Sequence, residues 1–565
     1  MLKYLYMFIA ELRKNFQGEI YEDTETRAKA SHDASIFEVM PSAVVAPRST
    51  VDVQLLVKTA VAAREQGEHV SLTPRSAGTC MSGGSLTESV VLTMTPHFNQ
   101  IHEVEIAADK KSGYAITDPG VFYRDLDKET KRRNLFMPAY PASREIASVG
   151  GMVGNNSGGE KTLAYGKIEN YILELQVVLA DGNEYTIKPL TKEELEMKIK
   201  LPTFEGRLYK QLYALITAHQ EVLAAAKPVV SKNSAGYYLW NVWDPSANSG
   251  QGVFDLTRLI VGSQGTLGIV TRIKFRLVPV KPISKMLVLF LKERQLPQLG
   301  DIVVALKAQN PETIESYDDH TLKLAMRFFP DLLKILKPKN ILSMFWHLLP
   351  EIWIFITGGI PKMVIMAEFT GEKDADVDAQ IHAAAAAMQR FGARQRITAS
   401  EEEEREFWII RRESFNLLRN KVKDKHTAPF IDDFAVKPEV LPEFLPKLQA
   451  ILGAYDLTYT IAGHPGDGNF HIIPLMNLED QVQRAIIPKL SDEVYTLVLQ
   501  YKGTITAEHN DGLIRTPYLE RMYGTEITTL FAQVKKMFDP SGIFNPGKKV
   551  GGDLGYSLAH IRRKF

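Results

Sequence analysis

The sequence predicts an α+β chain in two parts, and three observations carry that expectation. Residues 51–94 alternate a helix, "VDVQLLVKTAVAAREQG", with short strands "HVSLT" and "VVLTM", the order of a layered helix-and-sheet unit. From 285 the order changes to strand "KMLVLFL", a helix, strand "KMVIMAEFT" (362–370) and an alanine-rich helix through "AQIHAAAAAMQRF", which suits an antiparallel sheet covered by helices. Between the two parts "VPVKP" (278–282) interrupts the pattern with two prolines and marks a boundary. A chain of 565 residues that is 45% hydrophobic can fill more than one core.

Each element follows from its pattern. The opening "MLKYLYMFIAELRKNF" is apolar until Glu11, Arg13 and Lys14 interrupt it, and no small-residue cleavage site follows, so a short amphipathic helix is expected within a segment 1–36. Strands are expected at "LELQVVLAD" (173–181), "TRLIVG" (257–262) and "GIVTRIKFRLV" (268–278), completing a first domain over 37–280. A second domain, 281–505, contains an apolar insert at 328–361. Its centre, 341–359, has only His347 and Glu351 as ionisable groups and is flanked by Lys334, Lys337, Lys339 and Lys362. Pro350 and Glu351 at its middle argue against a full membrane span. Two readings remain, an element that dips into one membrane leaflet and a buried helical hairpin. A helix at "PEVLPEFLPKLQAIL" (438–452) then precedes strands "LTYTIAG" (457–463) and "FHIIPL" (470–475). The tail, 506–565, is too short for a domain and is expected to rejoin the others.

Lys plus Arg and Asp plus Glu number 67 each, so no global field recruits nucleic acid. Cys80 is the only cysteine, which excludes an internal disulfide and points to a reducing, cytoplasmic setting. On the docking reading of 341–359, the protein would sit peripherally on the inner face of the cytoplasmic membrane.

Three glycine-rich runs stand out: "PRSAGTCMSGGS" (74–85), "SVGGMVGNNSGGEKTLAYG" (148–166) and "GSQGTLG" (262–268). Small residues let backbone N–H groups converge on an anion, and Arg75 adds charge to the first run. None is the Rossmann G-x-G-x-x-G or a P-loop. A large cofactor cradled by several loops is the remaining reading.

"GHPGDGNFH" (463–471) sets two histidines around a glycine turn between two strands. Pro465, Gly466 and Gly468 rule out a helix, so His464 and His471 can fold toward each other. "TAEHNDG" (506–512) adds Glu508, with His509 beside it. Two imidazoles and a carboxylate, without thiolates, suit a catalytic divalent cation with an open position.

Read together, "PRSAGTCMSGG", "GGMVGNNSGG", "KNSAGYYL" (232–239), "GSQGTLGIVT", "FWIIRRESF" (407–415), "GHPGDGNFH", "AEHNDG" and "FDPSGIFNPGK" (538–548) resemble the FAD-binding type 4 flavoproteins of the vanillyl-alcohol oxidase (PCMH-type) superfamily, D-lactate dehydrogenase and glycolate oxidase branch. The resemblance covers about 37–550. It implies a two-subdomain PCMH-type FAD-binding domain, a ferredoxin-like antiparallel cap over the substrate, and a tail that rejoins both.

It also implies site residues. Pro74, Arg75, Ser76, Ala77, Gly78, Thr79, Ser82, Gly83 and Gly84 would hold the pyrophosphate. Gly150, Gly151, Gly154, Asn155, Asn156, Ser157 and Gly158, with Gln264, Gly265, Gly268 and Ile269, would line the ribityl chain and ring. Pro141, Tyr165, Gly166 and Asn545 would complete the flavin contacts. Thr79 stands where members that tether FAD carry histidine, so the FAD is expected to be non-covalent. His464, His471 and Glu508 would bind zinc, manganese or iron, His509 would be the general base, and Arg411 would clamp the substrate carboxylate. Without the resemblance, the arginines of "FWIIRRESF" read as a solvated helix face.

Family members acting on a dicarboxylic hydroxy acid carry threonine and lysine where Phe415 and Ile431 align, which points to D-lactate oxidised to pyruvate, with electrons passed to a quinone or protein carrier. Glycolate and D-2-hydroxyglutarate are the neighbouring substrates. Other classes are a transferase on the same fold, a flavin-free metallohydrolase, and a flavin-carrying subunit with no substrate of its own.

Overall fold

The computed structural model describes residues 5–250, 252–327, 359–421 and 425–564. The insert reading at 341–359 falls, all but its last residue, outside the described residues. Among the described residues, no helix is long and apolar enough to cross a membrane.

The first part holds two large sheets and a small antiparallel one, Leu190–Thr191, Val253–Phe254, Trp243–Asp244. One large sheet runs Glu19–Tyr21, Ala43–Ala46, Val90–Thr93, Leu72–Arg75, with its last three strands parallel. Parallel neighbours need a crossover, and the helix Thr50–Glu65 provides one, burying Val53, Leu56, Val57 and Ala60 against Val45, Leu72 and Leu92. That i, i+3, i+4, i+7 spacing is one helix face. The N-terminal helix Tyr6–Asn15 adds Phe8 and Leu12 to the same core. The other large sheet is antiparallel, in the order Ile101–Ile106, Gly113–Thr117, Ile269–Pro279, Ile172–Val178, Glu184–Ile187.

Two expectations fail here. Residues 257–262 begin with a helical turn, Thr257–Ile260, and Asp255 Oδ1 accepts Thr257 N–H at 3.0 Å and its hydroxyl at 2.6 Å, an Asx-type turn that competes with the strand. The second glycine run is not a loop throughout: Val149–Asn155 is a short helix, with Gly150 packed so closely on Pro119 that a Cβ would lie 2.4 Å from it.

The second part is built on one sheet, in the order Arg394–Ile397, Ile283–Leu291, Met363–Gly371, Thr313–Asp318, Thr458–His464, Asn469–Met476, His426–Thr427. The strand Ile283–Leu291 shows how alternation divides its faces. Leu287, Leu289 and Leu291 meet helices Leu299–Lys307, Asp374–Met388 and Leu441–Gly453. Met286, Val288 and Phe290 turn the other way, onto Phe407 and Trp408 of helix Glu401–Lys421. The tail returns to the first part, where Ile527, Phe531 and Val534 of Leu519–Phe538 join its core.

Candidate active site

The hairpin Thr458–His464 and Asn469–Met476 pairs Ala462 with His471, so His464, two residues on, projects from the same face as His471. The turn demands Gly468: its φ is +66°, and a Cβ there would lie 1.7 Å from Val436 O. The two imidazole rings stand 5.3 Å apart, edge to face.

Glu508 is delivered by a buried aspartate. Asp433 Oδ2 accepts the N–H groups of Ala507 (3.0 Å), Glu508 (2.9 Å) and His509 (2.7 Å) and the hydroxyl of Thr506 (2.7 Å). Burial would raise the Asp433 pKa, but His509 and Arg515 hold it well below the usual carboxylate range. The turn thus folded places Glu508 Oε1 3.6 Å from His464 Nε2 and Oε2 3.7 Å from His471 Nε2.

These three groups fit a divalent cation. His471 Nδ1 donates to Asp432 O at 2.9 Å, and His464 Nδ1 bonds to the buried Glu315 carboxylate, which leaves each Nε2 facing Glu508. The ligand atoms lie within 4.8 Å of one another. Burial and His509 push His471 down to about 4, the neutral state a ligand needs. Glu508 is held well below its ordinary value: burial opposes this, and Lys232 and His464 cause it.

His509 stacks on His471 at 5.1 Å. Its Nδ1 lies 2.8 Å from Asp432 Oδ2, and Asp432 Oδ1 is paired with Arg515 at 2.6 Å. The His509–Asp432 contact is close but not aligned as a hydrogen bond. Burial would depress His509, yet Asp432 and Asp433 raise it to about 9. Two stacked imidazoles are therefore driven apart, His471 toward its neutral form and His509 toward its charged one. Asp432, with His471 and His509, forms a second set of nearby donor atoms, but Arg515 already neutralises that carboxylate.

Arg411 Nε lies 2.7 Å from Glu315 Oε2, on the same carboxylate that orients His464. The neighbouring Arg412 stacks on Trp408 at 4.4 Å and forks Glu160, with Nη2 2.6 Å from each oxygen. The arginines thus face a protein interior instead of solvent. Ile431 has no exposed surface and belongs to the core, so it does not line an open substrate cleft. The Phe415 side chain lies outside the described residues.

The glycine runs fit a large cofactor for a specific reason. At Gly151 a Cβ would meet nothing nearer than 3.6 Å, and at Gly154 nothing nearer than 3.9 Å. Protein packing does not require glycine at either position, and a bound molecule would. Ser76–Cys80 is a half-buried stretch beside this helix, tied to it by Ala77 N–H donating to Ser148 Oγ at 3.0 Å. Asn155 joins the two sites, its Nδ2 donating to Glu508 O at 2.8 Å.

Several expected flavin contacts are committed to the protein itself. Asn545 is fully buried: its Nδ2 donates to Gly84 O (2.8 Å) and Gln264 O (2.7 Å), and its Oδ1 accepts from Thr73 (3.0 Å). It clamps the first and third glycine runs together. Arg75 lies over Gly78 of its own run and is committed to the protein, Nη2 donating to His32 O at 2.7 Å. Ser82 and Ile269 have no exposed surface. Gly268 is closed in by Val177, Asn156 Oδ1 accepts from Glu169 N, and Gln264 Oε1 accepts from Gly512 N. Tyr165 donates its hydroxyl to Glu312 of the second part at 3.1 Å, and Gly166 packs against Asn170.

Sequence reasoning missed the residues that hold these groups: Glu315, Asp432, Asp433, Lys232 and Arg515. One signal was available. Asp432 and Asp433 sit inside the apolar "FIDDF", where paired acids need a structural reason to be buried.

Residues 41–188 match the FAD binding domain family, and residues 285–549 match the C-terminal domain of FAD linked oxidases. A D-2-hydroxyglutarate dehydrogenase of Pseudomonas putida is 29% identical over 96% of the chain, which spans 51% of that relative. The chain thus covers about half the length of such relatives. A glycolate oxidase subunit of Bacillus subtilis is 28% identical, over 95% of each chain. A D-lactate dehydrogenase of Archaeoglobus fulgidus is 25% identical over 90% of this chain and 91% of its own. Among solved structures, 4-ethylphenol oxidase from Gulosibacter chungangensis superposes with TM-score 0.69 at 17% identity over 98% of both chains. p-Cresol methylhydroxylase superposes with TM-score 0.64 at 15% identity, over 98% of this chain and 97% of its own. The fold is the α+β, PCMH-type FAD-binding fold with a C-terminal domain.

Proposed function

Since the chain belongs to the FAD linked oxidases, with the family's FAD binding domain and C-terminal domain in order, we propose that it oxidises a D-2-hydroxy acid, D-lactate first, to the 2-oxo acid. The observation that carries this reading is the convergence of His464, His471 and Glu508 beside His509, tied through Asn155 to the helix in which Gly151 and Gly154 have room for a side chain. Bound FAD supplies the hydride acceptor, and a divalent cation (zinc, manganese or iron) held by the three ligands supplies a Lewis acid for the substrate hydroxyl.

The chain's own residues do the rest. His509 takes the hydroxyl proton at Nε2 in its neutral form, which a cation bound beside it would favour by repelling the ring proton, while Asp432, fixed by Arg515, stands beside Nδ1. Arg411 binds the substrate carboxylate, and Glu315 fixes both that guanidinium and the tautomer of His464. The first domain (37–280) holds non-covalent FAD, with Thr79 at the place of a tethering histidine. The second (281–505) covers the substrate, and the tail (506–565) supplies Glu508 and His509. Electrons leave to a quinone or protein carrier, with 341–359 as a candidate contact for a membrane.

D-2-hydroxyglutarate is the second reading, favoured by the relatives that bear that name. An anaerobic visible spectrum tests both. Bleaching of a flavin band by D-lactate, and not by L-lactate, is expected. Bleaching by D-2-hydroxyglutarate alone moves the substrate to the second reading, and a flavin band that no hydroxy acid bleaches overturns the oxidase reading.

A further inference from the structure

Lys232 takes no part in the chemistry above, yet it has no exposed surface and stands where three regions meet. Its Nζ lies 2.5 Å from Glu508 Oε1 in the tail and 3.3 Å from Asp467 Oδ2 in the histidine hairpin, and it donates to Gly159 O, after the glycine helix, at 3.3 Å. A buried ammonium is tolerated only where anions pair with it. Here the paired anion is the carboxylate offered to the cation, through the oxygen that also stands 3.6 Å from His464 Nε2. Asp467 is a second claim on the same lysine and is itself anchored, its Oδ1 accepting from Ser231 Oγ at 2.7 Å. Next door, Lys167 fixes the backbones on either side: its Nζ donates to Asn233 O at 2.7 Å and Ala507 O at 2.8 Å. The lysine therefore cannot drift away from Glu508.

We propose that Lys232 is a positioning residue for the metal ligand set: it holds Glu508 by Oε1, so that the carboxylate meets the cation through Oε2 alone. The consequence is that the cation keeps open positions for a chelating hydroxy acid, at the cost of affinity, because one carboxylate oxygen is taken and a fixed positive charge sits beside it. This inference rests on the metal reading above.

The test is Zn²⁺ affinity, measured by competition with a chromophoric chelator on the metal-stripped, FAD-loaded full chain. Lys232→Met is expected to bind Zn²⁺ about tenfold or more tightly than wild type. Lys232→Arg, which keeps the charge, stays close to wild type. A merely structural lysine would give the opposite, because its loss would loosen the ligands. Should Lys232→Met fail to fold, Asp467→Asn is the second variant: it leaves the lysine wholly to Glu508 and should weaken Zn²⁺ binding severalfold. Equal or weaker binding by Lys232→Met, or unchanged or tighter binding by Asp467→Asn, overturns the inference while wild-type binding leaves the metal reading standing. No Zn²⁺ binding by wild type overturns both.

Discussion

In the glycine runs of the first domain, Gly78, Gly83 and Gly265 take φ of +70°, +78° and +69°, and the shape is set residue by residue along the backbone. At the border with the second domain, by contrast, His464, His471, Glu508 and His509 owe their places to groups far away in sequence: Glu315, Asp432, Asp433 and Lys232. One region is chiefly a backbone device, closed by the Asn545 clamp, and the other a long-range electrostatic one. The difference teaches where each is vulnerable. A loop fails at its own glycines, whereas the ligand cluster fails at partners that touch neither cofactor nor substrate.

The sharpest way to break the comparison is Glu508→Gln. It should lower flavin reduction by D-lactate by about 10³-fold or more while the flavin stays bound, read by stopped-flow bleaching and by the absorbance of the resting protein. Loss of flavin together with activity would mean that the two regions are one device. Asp432→Asn comes next, because it removes the anion behind His509 and not a cation ligand. A fall of about 10²-fold in the bleaching rate with retained Zn²⁺ is expected, and loss of Zn²⁺ would place Asp432 among the ligands.

Two glycines sharpen the other side. Gly265→Ala puts a methyl 2.2 Å from Pro74 at a positive φ and should cost about 1–3 kcal/mol of stability, visible in denaturant unfolding. Gly154→Ala meets no protein neighbour nearer than 3.9 Å, so the flavin-free protein should melt no lower than wild type, alanine being the better helix former, while FAD affinity falls about tenfold. A lowered melting temperature for Gly154→Ala would show that packing, not the cofactor, selects that glycine.

The smallest effect tests, through pH, a carboxylate of the second part that stands outside the ligand cluster. Burial first, and Glu368 next, raise Glu404 to about 7, against the pull of Ser284 and Thr398. The folded state therefore binds the proton more tightly than the unfolded chain, so stability present below the unfolded pKa is lost as pH rises through the folded one. Glu404→Gln mimics the protonated form. It should stabilise the protein by about 1 kcal/mol at pH 8, after discounting for solvent screening, and the gain should vanish near pH 4. An equal gain at both pH values would show that Glu404 contributes by packing alone.

Much of this molecule is readable along the chain. The helix Thr50–Glu65 shows itself by its apolar spacing, the strand Ile269–Pro279 by alternation, and the histidine turn by Pro465 and Gly468. The order of motifs carries the family, and the donor types carry the cation chemistry. Where local reading failed, as at Thr257–Ile260, an Asx-type turn at Asp255 competed with the strand, and such a turn is invisible to a count of apolar residues.

What the sequence determined by itself is therefore the period of each element, the glycines a backbone needs, and which side chains are able to ligate or carry a proton. Tertiary structure alone decided which of them meet. Asn545 became a clamp between loops, Arg412 spent its charge on Glu160, and Lys232 met Glu508 from 276 positions away. The physical reason is that burial sets the worth of a charge. Whether an acid or lysine is a solvated ornament or a fixed part of a site depends on the partners packed around it, and only the fold chooses those.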